Sequence, residues 1–438
     1  MSKSQLLELL FQAYRDCIRT KAQVKRTGFH MRFERELVEL CDQLWRRSYR
    51  PGISTIFVVT EPKLREVIAA SFRDRIVHHL LYNYMSPYWE KIFVDQSYAC
   101  RKGKGPLQAS LDLRTFINRR TRSGRRRLWF AKIDISNFFP SIDQHVLFDI
   151  VLGHLHHDFY TWLTEILIFH RPTEKGQYRL NCSRELWRLV PRRKSMFCAA
   201  PGKGLPIGNL TSQFFANVYL NEVDQYIAHN LKDRHGVLYW QRYVDDFLCI
   251  GEDRVELQKL VVLVDQFLRS RLLITLNPKK TLIQPLCRGI DHLGYFHLPG
   301  TTYVRQRVAN TAKYRMQKLL DDSALNDGPD DSKQCLATIQ STTNSYLGYF
   351  GHADTFRLRK NIVQRLVGQP PVKGTLTSDL DFQKLQYCQP ADADKQEPIC
   401  SVAELACQYF AGFSEGAIES EVPRLPARPH TTQRTQTK

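Results

Sequence analysis

The sequence predicts an α+β chain, and three patterns carry that expectation. Leu238, Tyr239, Trp240 and Tyr243, then Phe247 to Ile250, read as two β-strands about a central pair of acids, Asp245 and Asp246. Leu128 to Ile133 form another apolar, β-prone run, which ends on Asp134. Around these strands lie amphipathic stretches: Leu6, Leu7, Leu10 and Tyr14, then Phe33, Leu37, Leu40 and Leu44, and later Val255 to Leu273.

The first pattern predicts a hairpin whose turn carries Asp245 and Asp246. Two like charges beside apolar strands are costly to bury unless cations neutralise them. Alone, an Asp-Asp pair reads as a solvated turn. Asp134 changes that reading. Its strand ends on the acid, then breaks at Ser136-Asn137 and Pro140 into a helix that Ser141 or Asp143 can cap. Carboxylates at the ends of adjacent strands can converge on two Mg²⁺ ions. Hard oxygen ligands suit that cation, and two such ions clamp the attacking and leaving oxygens of phosphoryl transfer.

The Asp134 box and the Tyr243-Val244-Asp245-Asp246 box, in that order, resemble the two catalytic motifs of the reverse transcriptases. The resemblance implies a right-hand polymerase with fingers, an antiparallel-sheet palm and a helical thumb. It also implies two Mg²⁺ held by Asp134, Asp245 and Asp246, a noncoding RNA template, dNTP substrates and a cDNA product. It covers about residues 50 to 360.

Length, charge and cysteine usage set the outer limits. A chain of 438 residues has room for two or three domains. Lys+Arg 63 against Asp+Glu 44 gives +19, which favours a polyanionic partner but would also suit a ribosomal or membrane-surface protein. No apolar run reaches about 18 residues, and Met1 to Gln5 carry no secretory h-region, so neither membrane association nor secretion is expected. The 11 cysteines are scattered with no CxxC pair, against a zinc ribbon or disulfide framework and for a reducing cytoplasm. No internal repeat stands out.

The remaining segments follow in chain order. Residues 1–50 form an N-terminal helical extension closed by Pro51-Gly52, and 51–127 would be the fingers, beginning with a strand from Ile53 to Thr60. Lys63, Arg65, Arg73 and Arg75 read plainly as charges on a strand pair and helix, and the resemblance places them near the nucleotide triphosphate. His78-His79 read as packing residues. The loop Gln96 to Gly105 precedes a helix from about Pro106, and its glycines and cations suit phosphate; the resemblance selects Arg101. Arg119, Arg120, Arg122 and Arg125 to Arg127 are either a solvated turn or a nucleic-acid contact.

Residues 128–298 would be the palm. Phe139 lies five after Asp134, where the resemblance places a ring that blocks a 2′-hydroxyl; the alternative is a core Phe, as for Phe138. His154, His156, His157 and His170 find no acid or cysteine to complete a metal site and read as surface or nucleic-acid contacts. From Pro201 to Asn217 a glycine-rich loop leads into a helix that Asn209 or Thr211 can cap. The resemblance places Gly208, Ser212 and Gln213 at the nucleotide and template pocket. Ile207-Gly208 and Ser212-Gln213 stand where Gln-Gly and Ser-Pro are common, as in bacterial diversity-generating retroelement enzymes and defence-associated reverse transcriptases.

Lys280 is a solvated lysine or, by the resemblance, the group that protonates the leaving pyrophosphate. Ile290 to Phe296 resembles a primer-grip hairpin through Leu293, Gly294 and Tyr295. Residues 299–366, with Arg305, Arg307, Lys313, Arg315, Lys318 and a helix opening at Asn344, would be the thumb. The tail, 367–438, begins with a linker at Gln369-Pro370-Pro371 and a polar stretch over 372–400. A helix from Val402 to Phe413 and a Pro/Thr/basic end from Pro423 follow.

The expected function is RNA-directed DNA synthesis on a dedicated noncoding RNA, in antiphage defence, with mutagenic retrohoming as the alternative role. A non-polymerising, RNA-binding, maturase-like protein is the alternative of another class. Phe139 disfavours an RNA-dependent RNA polymerase. Oligomeric state is open.

Overall fold

Amphipathic helices open the chain because their apolar residues recur on one face. In α1 (Lys3–Ile18), a Ser2/Gln5 capping box starts the helix, and Leu6, Leu10 and Tyr14 are buried. After α2 (Gly28–Met31), α3 (Phe33–Trp45) buries Leu37, Leu40 and Leu44. This computed structural model describes residues 1–19, 28–60, 63–121, 124, 126–324, 329–367, 376–378 and 384–387. The chain forms two compact units, Met1–Val308 and Ala309–Lys438.

In the first unit, β1 (Ser54–Val59) pairs antiparallel with β2 (Arg65–Ala69). Ser71 caps α4 (Phe72–Ile92), on which α1 packs. Next come α5 (Pro106–Thr121), β3 (Trp129–Asp134) and α6 (Phe138–Ser141). Of the two caps expected beyond β3, Asp143 is the one used: it accepts from His145 and Val146 N–H at the start of α7 (Gln144–Leu152). After α8 (Asp158–Phe169), β4 (Tyr178–Leu180) joins β1 in parallel, giving a sheet ordered β2-β1-β4. Then α9 (Arg184–Arg188) and two 3-10 turns, Arg192–Lys194 and Met196–Cys198, lead to α10 (Leu210–Tyr226).

The hairpin β5 (Val237–Tyr243) and β6 (Asp246–Gly251) follows, then α11 (Arg254–Arg271) and β7 (Leu282–Pro285). These strands and β3 form an antiparallel sheet ordered β5-β6-β3-β7. Period-2 alternation divides its side chains. Ala131, Ile133, Phe247 and Cys249 join the large core with α10 and α11, while Phe130, Leu248 and Ile250 pack with Leu113 and Ile117 of α5. A meander of β8 (Ile290–His292), β9 (Tyr295–Leu298) and β10 (Thr301–Val304) leads into α12 (Gln306–Ala324).

The second unit contains α13 (Pro329–Phe350), α14 (Phe356–Val367) and a short hairpin, β11 (Leu376–Ser378) with β12 (Leu385–Tyr387). Asn344 lies well inside α13 rather than opening a helix. Its side chain donates to Leu385 C=O at 3.0 Å and accepts Leu385 N–H at 2.6 Å, so β12 appears in a stretch with weak periodicity. The expectations at Arg122, Arg125, Gln369-Pro370-Pro371, Val402 to Phe413 and the segment from Pro423 lie outside the described residues. Among the described residues, no helix is long and apolar enough to cross a membrane.

Candidate active site

The acids meet because register places them together. Asp134, the last residue of β3, is the Cα partner of Asp246, the first residue of β6. Tyr243 pairs with Asp246, so the loop is Val244-Asp245, and Asp246 belongs to the strand rather than to the turn expected for it. The turn reverses at Val244, which has φ +56°, a conformation unfavourable for a β-branched residue.

Arg242 supports that loop from below. With its side chain 0% exposed, it donates to Asp224 Oδ1 at 2.9 Å and Oδ2 at 2.6 Å, to Asn217 Oδ1 at 3.1 Å and to Ser97 Oγ at 3.0 Å. Another N–H reaches the Val244 carbonyl at 3.0 Å. A buried guanidinium is stable only when its donors are satisfied. The sequence signal was present: an arginine inside an apolar strand requires a buried acid, and Asp224 lies among the inward residues of α10.

Asp134 is 7% exposed and accepts from Lys280 Nζ through both oxygens at 2.8 Å. Asn277 Nδ2 donates to it at 3.2 Å. Burial first, then the charges of Asp246 and Asp134, push the Asp245 carboxyl up to about 6. Burial raises Asp246 as well, against the pull of Lys132. Clustered carboxylates held at this cost would be relieved by added cations, so the donors fit a hard divalent ion. Mg²⁺ at phosphoryl-transfer sites takes one or two carboxylates and completes its shell with water and substrate phosphate. Among the described residues no group of three His, Cys, Asp or Glu forms a metal cage by itself, and the Lys280 ammonium rests on Asp134.

The other expected residues divide by environment. Phe138 is buried in the core while Phe139 is only partly covered, so the two rings have different surroundings. Lys63 and Arg65 are exposed on the site's side of the β1–β2 hairpin, where Lys63 acts on Asp246. Gln213 is exposed on the first turn of α10. At Gly208, φ +130°, a Cβ would lie 2.8 Å from Val67 and 2.9 Å from the Ile68 carbonyl, so its conformation fits the loop against β2.

Several other expected residues make bonds within the fold. Arg101, 6% exposed, bonds Glu90 and the carbonyls of Val94 and Ser97, which removes it from the free surface. Arg73 lies over Tyr49 and bonds Gln43 and the Arg50 carbonyl. Arg75 donates to the Ala70 carbonyl at 3.0 Å. Ser212 is buried. Thr211 bonds His78 rather than capping α10, and Asn209 accepts Ala70 N–H, so neither expected cap forms. Tyr295 points into the core, whereas Leu293-Gly294 form the β8–β9 turn, both at positive φ. His78 is a packing residue, and among the described residues no metal group includes His154, His156, His157 or His170.

An antiparallel sheet that raises three acids to one edge, with cations facing them, is suited to a phosphate-bearing substrate. The family model "Reverse transcriptase (RNA-dependent DNA polymerase)" matches residues 60–349. The chain belongs to this family. No curated protein matches it. Among solved structures it is similar to an apo telomerase from Candida tropicalis truncated from the C-terminal domain. Identity is 11% and the TM-score 0.39, over 58% of this chain and 55% of that one. The chain thus spans about half the length of that structure.

Proposed function

We propose that this chain copies a dedicated noncoding RNA into cDNA from dNTPs. Fingers over 51–127, palm over 128–298 and thumb over 299–366 would follow the 1–50 extension and precede the 367–438 tail. The observation that carries the reading is the Asp134–Asp246 register pair beside Asp245, in a chain of this family. Asp134 and Asp245, with Asp246 in support, would hold two Mg²⁺, which would supply Lewis-acid charge for phosphoryl transfer. Lys280, its side chain 57% exposed and 2.8 Å from Asp134, would be the donor to the leaving pyrophosphate. Phe139 presents its ring where a ribose 2′-hydroxyl would clash. Lys63 and Arg65 attract the triphosphate, Gly208 and Gln213 border the template, and the Leu293-Gly294 turn contacts the primer. Alignment and electrostatic stabilisation supply the catalysis.

For the biological role, Ile207-Gly208 with Ser212-Gln213 supports a bacterial retroelement enzyme, and the scattered cysteines without a CxxC pair support a reducing cytoplasm. Residues 350–438, beyond the family match, favour antiphage defence over diversification. Mutagenic retrohoming is the second reading, supported by the same Ile207-Gly208 motif. Three converging acids oppose a purely RNA-binding scaffold.

RNA and cDNA co-purified with the wild type and with Asp245→Ala, with and without phage, should be sequenced. One bound RNA with abundant cDNA, lost in the variant, is expected. Adenine-mutated copies of a repeat would move the role to diversification. Equal RNA binding by both proteins without cDNA would make the chain a scaffold. Phe139→Ala should admit rNTPs in primer extension, and unchanged discrimination would remove Phe139 as the gate.

A further inference from the structure

The segment between α8 and α10 is built into the site by a buried carboxylate. On β2, Arg65 points to solvent and Glu66 points inward, 4% exposed. Glu66 accepts Trp187 Nε1 at 2.6 Å, Ser195 Oγ at 3.0 Å and Met196 N–H at 3.0 Å. All three donors come from this segment. Its other end is held by β4 on β1, where Asn181 N–H meets the Ile56 carbonyl at 2.7 Å. The Arg192–Lys194 turn immediately precedes Ser195, so the Glu66 bonds fix its position. It packs on α6, which carries Phe139.

This arrangement brings together cations from three parts of the chain. Burial, then the charges of Lys280, Lys63, Arg193 and Arg65, depresses the Lys194 ammonium. Among the described residues, no acid pairs with Lys63, Arg65, Arg193 or Lys194. Gathered positive charge of this kind repels itself and attracts a multivalent anion.

We infer that Lys194, assisted by Arg193, binds the polyphosphate of the incoming nucleotide. The inference rests on the polymerase reading above. A template strand also carries phosphates, but the cations next to Lys194 reach the acids: Lys280 bonds Asp134, and Lys63 acts on Asp246. The reacting triphosphate must lie there.

The test uses the full chain as wild type, Lys194→Ala, Lys194→Arg and Arg193→Ala. Primer extension would give KM and kcat for dTTP, salt titration the template–primer affinity, and calorimetry the binding of inorganic tripolyphosphate. Lys194→Ala should raise KM for dTTP about 10- to 100-fold, as for loss of one charge-assisted hydrogen bond, with kcat within about threefold. Lys194→Arg should restore most of the loss, and Arg193→Ala should show a smaller rise. Unchanged KM in an active enzyme overturns the inference. So does weaker template binding with a salt slope reduced by about one and KM unchanged, which assigns the cations to the template strand. If the wild type makes no DNA, the polymerase reading fails separately. Tripolyphosphate binding then still decides the site: weaker binding to Lys194→Ala supports it, and equal binding ends it.

Discussion

Two hairpins of the first unit reverse through two-residue loops that both put a non-glycine at positive φ in the first position and differ in the second, where only the β8–β9 loop is at positive φ. The β8–β9 loop, Leu293-Gly294, has φ of 47° and 93°, and glycine accepts its position without a Cβ penalty. The β5–β6 loop puts Val244 at φ 56° and is held from beneath by Arg242, which donates to the Val244 carbonyl. Glycine would satisfy the turn but leave the adjoining acid freer to move. A strained residue clamped by a satisfied guanidinium fixes Asp245 more tightly, at the expense of local stability. Strain of this kind persists only where the surrounding structure over-determines it.

The comparison can be broken first at its chemistry. Asp245→Ala should lose DNA synthesis by on the order of 10³-fold, the scale of removing a transition-state stabilising group, while thermal denaturation shows a folded chain. Synthesis within about tenfold of wild type would remove the β5–β6 loop from the active site.

Next comes the clamp. Arg242→Met leaves Asp224 charged and buried without its partner, a loss of about 3–5 kcal/mol by urea denaturation. Asp224→Asn on that background should recover part of it. A single variant as stable as the wild type would mean that the loop does not depend on support from below.

The second hairpin has its own weakness, acid. Burial drives His292 down to about 3 and His297 to about 4, with Lys132 and Arg305 adding to the effect on His292 and Arg114 to that on His297. Both fold as neutral rings and take up protons on unfolding, so the unfolded chain binds more protons between about pH 6.5 and 4. Stability therefore rises with pH across that window and is lost on acidification, by on the order of 2 kcal/mol from each by pH 5. His292→Leu should flatten the pH dependence of Tm; an unchanged slope would place His292 in water.

The smallest effects separate the turns themselves. Gly294→Val should cost about 1–2 kcal/mol, since a β-branched residue enters positive φ without a clamp. Val244→Gly should lie within about 1 kcal/mol of neutral, strain relief offsetting the entropy lost by glycine, yet lower kcat. Equal stability changes at the two sites would show that the loops are alike after all.

Legibility in the sequence followed the range of the interaction. Asp134, Asp245 and Asp246 were readable because alternation within a few residues locates strand ends, and acids beside apolar strands require a reason. Phe138 and Phe139 were adjacent and chemically alike, so only packing could separate them. Arg101 illustrates what the sequence does not encode. A glycine-rich basic loop suggested phosphate, but the guanidinium folds back onto Glu90 and two carbonyls, a direction that composition does not encode. The segment from β4 to α10 has little periodicity, and its lock joins Glu66 to donors between 121 and 130 residues away.

Local chemistry thus pointed to the α+β class, to the three acids and to the strand end that carries Asp134. Each depends on side-chain period and on the cost of burying charge, and neighbouring residues suffice to express both. Tertiary structure decided which cations face those acids, which arginines are used within the fold and how Val244 is held. Those outcomes depend on register and on partners far along the chain, where a one-residue shift or a different rotamer would send the same side chain to the opposite face.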